Sequence, residues 1–366
     1  MTGDLWTARE ITQQPAVWRT LAEHLAAGKA RIDAFLAPLL ARDDLRIVLT
    51  GAGTSAFAGE IIAPGLTRAL RRRVDAVATT DLVSNPREHL AEDVPTLLVS
   101  FARSGDSPES LAAVRLADEV LSDAWHLVLT CNPDGQLYRT TNGDRSLALL
   151  MPEGTNDRAF AMTSSVTSMM LAALTVLGAG PDVPLLADVA AAALPDLAKR
   201  ARVLAEEGAD RFVYLGSGAF AGLARESALK LLELTAGRVV SYFESSLGFR
   251  HGPKSVLNDD TVAFVYLSND RYTRQYDVDI ARELRAALPD GHVITIGCRD
   301  DAEEETWSFP GLGHLPDATV APVLLLAAQH VALATSRALG LDPDNPFPAN
   351  EVNRVVQGVT IHALDE

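Results

Sequence analysis

The sequence predicts an α/β protein: two tandem, doubly wound parallel sheets, each in a three-layer arrangement, with a helical segment ahead of the first. Three observations predict it. The 366 residues exceed one ordinary domain of ~150 residues. Short apolar runs alternate along the chain with longer amphipathic ones, the pattern of buried parallel strands covered by helices. The chain also repeats itself. Arg46-Ile-Val-Leu-Thr-Gly-Ala-Gly53 returns as Arg211-Phe-Val-Tyr-Leu-Gly-Ser-Gly218, and Thr96-Leu-Leu-Val-Ser-Phe101 as Thr261-Val-Ala-Phe-Val-Tyr266, both 165 residues on. His126-Leu-Val-Leu-Thr130 returns as His292-Val-Ile-Thr-Ile296 at 166. A period this long marks two copies of a domain and not a solenoid.

Taken in order, residues 7–40 read as helical. Strands are expected at 47–50, 76–79, 96–101, 127–130 and 147–150, with helices at 56–71 and 108–120 between them. An Ala- and Leu-rich helix at 184–207 links this copy to the next, whose strands are expected at 212–215, 239–243, 261–266 and 293–297. The apolar stretch 320–335 is interrupted by Gln329 and His330 and is too short to span a bilayer, so it reads as a buried core helix. The resulting organisation is a helical segment 1–40, a first domain 41–180, a linker helix 181–208, a second domain 209–345 and a tail 346–366.

Composition excludes several function classes. There are 32 Lys and Arg against 48 Asp and Glu, a formal net charge of −16 that repels nucleic acid and anionic membrane alike. Local backbone dipoles still allow a small anionic ligand. Two cysteines, Cys131 and Cys298, build no disulfide framework and suit a reducing cytoplasm. The opening residues lack the basic start and apolar run of a signal peptide. Neither CxxC nor HxxxH spacing occurs, so no metal site is expected, and no cofactor is expected either.

In doubly wound sheets ligands bind beyond the carboxyl ends of the strands, at helix N-termini. Two such turns stand out. Gly51-Ala-Gly-Thr-Ser55 follows the first strand, its glycines admitting a ligand to the backbone while Thr54 and Ser55 offer hydroxyls. Ala102-Arg-Ser-Gly-Asp-Ser107 follows the third and precedes Pro108, offering Arg103, Ser104 and Ser107. Either turn alone could hold nothing more than helix caps. Two on neighbouring strands favour a phosphate pocket. The second copy keeps the glycines of Gly216-Ser-Gly218 but carries Ala219 and Phe220 in place of the hydroxyls. A dinucleotide site is excluded because the first turn is not GxGxxG and no acidic residue ends the second strand.

Chemistry needs a proton-moving group. Glu226, Lys230 and Glu233 lie four and three residues apart, near one face of a helix at 221–234. Spacing alone suits a solvated salt-bridged stripe. The flanking Ala228-Leu229 and Leu231-Leu232 instead make the helix largely buried, and buried charges need partners or a role. His251 follows, in Gly248-Phe-Arg-His-Gly-Pro253, a close-packed loop. A carboxylate and a histidine suffice to open a sugar ring and shuttle a proton between C1 and C2.

Gly51-Ala-Gly-Thr-Ser55, Arg103-Ser-Gly-Asp-Ser107, Glu226-Ser-Ala-Leu-Lys-Leu-Leu-Glu233 and His251-Gly-Pro253, in that order, resemble the sugar isomerase (SIS) superfamily with tandem flavodoxin-like domains, as in the isomerase half of glucosamine-6-phosphate synthase. Ser100-Phe-Ala-Arg-Ser-Gly-Asp-Ser-Pro-Glu-Ser110, Phe160-Ala-Met-Thr-Ser-Ser-Val-Thr-Ser-Met-Met170, Thr7-Ala-Arg-Glu-Ile11 and Asp81-Leu-Val-Ser-Asn-Pro86 are similar to a narrower group, the galactosamine-6-phosphate deaminase/isomerase (tagatose-6-phosphate ketose/aldose isomerase) subfamily. The resemblance covers nearly the whole chain. It implies that Thr54, Ser55, Ser104 and Ser107 hold a 6-phosphate, with Arg103 adding charge, and that Thr163 lies near the sugar. It further implies Glu233 as the group moving the proton between C2 and C1, Lys230 as a stabiliser of developing charge, and His251 as an aid to ring opening. In the synthase the matching histidine comes from a partner subunit, which implies a homodimer with shared sites. Two departures stand out: Ala102 replaces a serine of the synthase pattern, and Gln357 stands where the synthase carries a lysine, so neither that hydroxyl nor that charge is available.

The synthase draws ammonia from glutamine with a further domain and an N-terminal Cys, whereas this chain has Thr2. The expected direction is therefore degradative: isomerisation of galactosamine 6-phosphate and hydrolysis of the resulting imine, giving tagatose 6-phosphate and ammonium without a metal. The alternatives are a plain aldose–ketose isomerase, which shares the same intermediate, and a non-catalytic sugar-phosphate sensor, which would need neither Glu233 nor His251.

Overall fold

The structure, a computed structural model, describes residues 5–141, 143–299, 304–349 and 351–364; Thr2 lies outside them. The first sheet consists of β1 Arg46–Thr50, β2 Val74–Ala76, β3 Thr96–Ala102, β4 Ala124–Thr130 and β5 Ser146–Leu150, all parallel, in the order β2-β1-β3-β4-β5. The second consists of β6 Arg211–Gly216, β7 Val240–Ser245, β8 Thr261–Tyr266, β9 Val293–Gly297 and the short β10 Trp307–Ser308, in the order β7-β6-β8-β9-β10. The same order in both sheets is the doubly wound arrangement with its switch point between the first and third strands. The repeat read in the sequence is thus a repeat of topology.

The helices are α1 Trp6–Thr12, α2 Gln14–Ala27, α3 Lys29–Leu40, α4 Thr54–Leu70, α5 Thr79–Ser84, α6 Pro86–His89, α7 Pro108–Val120, α8 Gln136–Thr140, α9 Ser164–Val176, α10 Val183–Glu206, α11 Ala219–Leu234, α12 Arg271–Arg285 and α13 Asp317–Ala338. On one face of the first sheet Val48 and Leu98 pack with Leu82 of α5 and Ala113 and Ala117 of α7. The opposite face meets α4 and α9. In the second sheet Val213, Leu215, Ala263 and Val265 face Val278, Ala281 and Leu284 of α12. The other face carries Tyr214 stacked on Phe264, and Phe220 of α11 against Tyr266. Strand alternation sorts each side chain to its face.

By compactness the chain divides into two units. One comprises Met1–Pro15, Arg158–Thr163 and Asp182–Pro346, the other Ala16–Asp157, Ser164–Pro181 and Phe347–Glu366. Side-chain bonds tie the distant segments of each unit. In the first, the Thr7 amide and hydroxyl donate to Asp344, and the Glu10 carboxylate accepts the amides of Arg158 and Ala159. In the second, Trp18 donates to the Thr167 hydroxyl and Arg31 to the Ala148 carbonyl.

Several boundaries differ from those expected. The second strand ends at Ala76, not at Thr79, because the Thr79 amide donates to the Gly51 carbonyl and Thr79 opens α5. The β-branched pair Thr79-Thr80 carries a strand-like composition into a helix. The segment 7–40 is three helices, broken at Gln13 and Gly28. Strand β10 was not expected; two residues are too few to leave a periodic signal.

Helix α13 is long and apolar enough to cross a membrane, and 89% of its apolar window is buried within the fold. Gln329, fully buried on it, accepts a hydrogen bond from Gln14 at 2.6 Å. Its neighbour His330 is buried, and burial alone lowers its pKa from 6.5 to about 4. An unfolded chain therefore takes up this proton first, so stability rises with pH between these values and falls on acidification. The shift corresponds to about 3 kcal/mol. His330→Leu is expected to flatten the loss of stability between pH 6.5 and 4, measured by urea unfolding across that range.

Candidate active site

The first turn is built by glycine geometry. A Cβ on Gly51 would lie 2.6 Å from the Ser55 Cβ and 2.7 Å from its backbone carbon, so only glycine lets the chain double back beneath α4. Gly53 has φ 55° and ψ −128°, a conformation L side chains rarely adopt. The second copy reproduces both features: Gly216 would meet the Phe220 Cβ at 2.6 Å, and Gly218 has φ 58° and ψ −123°. Thr54 and Ser55, in the first turn of α4, are buried.

The second turn lies beside the first, since β1 and β3 pair with Thr50 opposite Ser100. Ser107 is the N-cap of α7, accepting the Ser110 amide at 3.3 Å and donating to the Ser110 hydroxyl at 2.6 Å. Ser104 accepts the Asp106 amide, while Asp106 accepts the amide of Gln136 and so holds the turn against α8. Arg103 is buried, and its guanidinium donates to the Arg354 carbonyl of the C-terminal tail at 2.9 Å. Arg354 in turn donates to the Asp157 carbonyl. The hydroxyls of Thr50, Thr79 and Ser100 are buried at this end of the sheet with no hydrogen-bond partner among the described residues. Sequence reasoning missed them because Thr50 and Ser100, inside strands, and Thr79, at the start of α5, carry no local signal that separates them from core positions or helix caps. Ala102, the missing hydroxyl, is buried. Gln357 is exposed in the tail.

At the matching end of the second sheet the arrangement is different. The hydroxyls of Ser217 and Ser246 donate to Asp277 Oδ1 at 2.6 and 2.5 Å, and the Ser268 amide donates to Oδ2 at 3.0 Å. Burial raises the Asp277 pKa, and these donors oppose the rise. The second copy thus gathers its donors on a carboxylate of its own.

Helix α11 brings together the three predicted charges. Glu226 and Lys230 are fully buried, and Lys230 Nζ lies 3.4 Å from Glu226 Oε1 and 2.6 Å from Glu233 Oε2. Glu233 alone of the three remains partly exposed, at 23% of its side chain. This is a buried ion triad and not a solvated stripe. Next to it, Tyr266 shares a hydrogen bond with Ser227 at 2.8 Å, and burial pushes its pKa well up. His251 is exposed directly after the 3-10 turn Gly248–Arg250, its amide donating to the Gly248 carbonyl. Gly252, with φ 117°, leads into a second 3-10 turn, Pro253–Val256. The ring of His251 makes no hydrogen bond among the described residues. Thr163 is buried at the end of Arg158–Thr163, which clusters with the second-sheet unit. Cys131 and Cys298 are buried and joined in no disulfide, and burial pushes the Cys131 thiol up to about 12. Among the described residues no group of three His, Cys, Asp or Glu could hold a metal ion.

The chain is similar to known proteins over nearly its whole length. The SIS domain family matches residues 39–178. A protein of Streptomyces coelicolor, named a candidate D-galactosamine-6-phosphate deaminase AgaS, is 57% identical, the match covering 98% of this chain and 96% of that one. The chain belongs to the SIS-domain family. A D-galactosamine-6-phosphate deaminase AgaS of Escherichia coli is 44% identical over 98% of this chain and 95% of its own. Among solved SIS structures, a tagatose-6-phosphate ketose/aldose isomerase from Escherichia coli superposes with a TM-score of 0.90 at 42% identity, covering 100% of this chain and 98% of that one. The names describe deaminase and isomerase chemistry, and neither describes the hydrolase class that imine hydrolysis alone would suggest.

Two substitutions test the geometry. Gly51→Ala forces the backbone of α4 to shift and is expected to weaken sugar-phosphate binding at least tenfold, an effect of about 1.4 kcal/mol or more, measured by calorimetry. Lys230→Met leaves two carboxylates facing each other without their cation and is expected to cost about 3–5 kcal/mol in denaturant melts.

Proposed function

We infer that the chain catalyses the deaminating isomerisation of an amino-hexose 6-phosphate, converting galactosamine 6-phosphate and water to tagatose 6-phosphate and ammonium. The observation that carries the reading is Lys230, sealed from water and bonded to Glu233, whose carboxylate alone in that triad reaches solvent. The high identity to AgaS deaminases over nearly full length supports the substrate class.

The 6-phosphate is held by Thr54, Ser55, Ser104 and Ser107 at the adjoining helix N-termini, with the Arg103 charge behind them. This anchor orients the far end of the sugar without joining in the chemistry. His251 assists ring opening to the aldehyde. Glu233 removes the C2 proton, and the electron pair forms the C1–C2 double bond as negative charge moves onto O1. Lys230 stabilises that charge. Glu233 returns the proton to C1, leaving an imine at C2; water adds there, ammonia leaves, and the ketose remains. Glu226, on the other side of Lys230, keeps the ammonium aimed along α11.

The tagatose-6-phosphate isomerase neighbour favours a second reading, aldose–ketose isomerisation without loss of nitrogen. Ammonium release from galactosamine 6-phosphate, set beside aldose–ketose conversion of the nitrogen-free sugar, separates the two.

The working unit in this reading is a cytoplasmic homodimer with shared sites. Leu232 of α11, Val240 and Phe243 of the edge strand β7 and Leu247 of the loop leading to His251 are exposed, and apolar side chains left open at a sheet edge support a second copy as cover. Glu233→Gln is expected to lower kcat by at least about a hundredfold while leaving sugar-phosphate binding intact. Mixing Glu233→Gln with His251→Asn protein, each impaired on its own, is expected to raise activity above that of either alone, since a mixed dimer rebuilds one complete site. Failure of the mixture, with both variants folded, would reject shared sites.

A further inference from the structure

Among the described residues the exposed ring of His251 has no hydrogen bond of its own to hold it, so its position depends on the backbone of its loop. That loop is pinned from one side by α12. Ahead of the histidine, Ser246 donates to Asp277. Phe249, fully buried, packs in the cluster of Val278, Ala281 and Leu284. Immediately before His251, Arg250 Nε meets Glu283 Oε2 at 2.8 Å; three residues after it, Lys254 Nζ meets Glu283 Oε1 at 2.5 Å. One carboxylate therefore grips both flanks of the histidine, each through a different oxygen. The two cations together hold the Glu283 pKa below the usual carboxylate range.

We propose that Glu283 is a positioning residue for His251: by joining Arg250 to Lys254 it closes the loop into a rigid bracket that sets where the imidazole meets the sugar ring. This rests on the assignment of His251 to ring opening. Gly252, at φ 117°, takes a backbone conformation that L side chains rarely adopt, and two like charges beside the histidine would repel each other without Glu283.

The test uses the full-length enzyme and the Glu283→Gln, Glu283→Asp and His251→Asn variants, with galactosamine 6-phosphate as substrate. Sugars open slowly by themselves, so His251→Asn keeps a measurable floor of turnover. Glu283→Gln is expected to lower kcat about tenfold with KM within about twofold, because the phosphate anchor is elsewhere. Glu283→Asp, which keeps the charge, is expected to recover part of that loss. In the His251→Asn background Glu283→Gln is expected to cost nothing further, as two changes acting through one group are not additive. Full activity of Glu283→Gln, or an equal loss in both backgrounds, overturns the proposal. If Glu283→Gln is active while His251→Asn is impaired, the inference falls and the role of His251 stands; if His251→Asn turns over at the full rate, that role falls first.

Discussion

A lysine ammonium without access to water is the constraint from which the second sheet is organised. Burying such a charge is costly, and the cost is offset only when opposite charges lie against it. Lys230 meets this requirement with two carboxylates from its own helix, one turn to either side. The arrangement demands that α11 be straight and regular over that stretch, that its flanking residues be apolar, and that Tyr266 and Ser227 complete their own bond beside it. A surface ion pair of the same composition would be nearly worthless energetically. Burial converts it into a means of holding one carboxylate at the helix margin.

The duplication shows how one backbone serves two purposes. Both copies keep the glycine turn after the first strand, with nearly identical dihedral angles, because the strand-to-helix reversal itself requires them. What changes is the group that the turn faces. The first copy retains hydroxyls at the helix start and buried hydroxyls on adjoining strands. The second gathers three donors on Asp277, an anion supplied by the chain. The turns share one backbone shape and differ in the side chains they carry.

Much of this was legible in the sequence. Strands β8 and β9 and helix α7 fall on their expected residues because buried β-branched runs and a proline at the helix start are local signals. The α11 triad was legible as spacing, and the apolar flanks distinguished burial from a surface stripe. What stayed hidden depends on contacts distant in sequence. The guanidinium of Arg103 reaches the tail at Arg354, 251 residues away, and no local pattern marks that pairing. Glu283 carries no motif either; it lies on an ordinary amphipathic helix, and only the folded loop shows which cations it joins.

The interleaving of segments has a consequence for synthesis. Thr7 finds its partner at Asp344, and the unit built on the first sheet includes Phe347–Glu366. A growing chain on the ribosome can therefore finish neither unit until Asp344 and the residues after it have emerged. Contacts of such range are slow to close. During that interval the incomplete apolar surfaces would be open to chaperones, and loss of the segment after Phe347 would act on the unit whose strands were translated first.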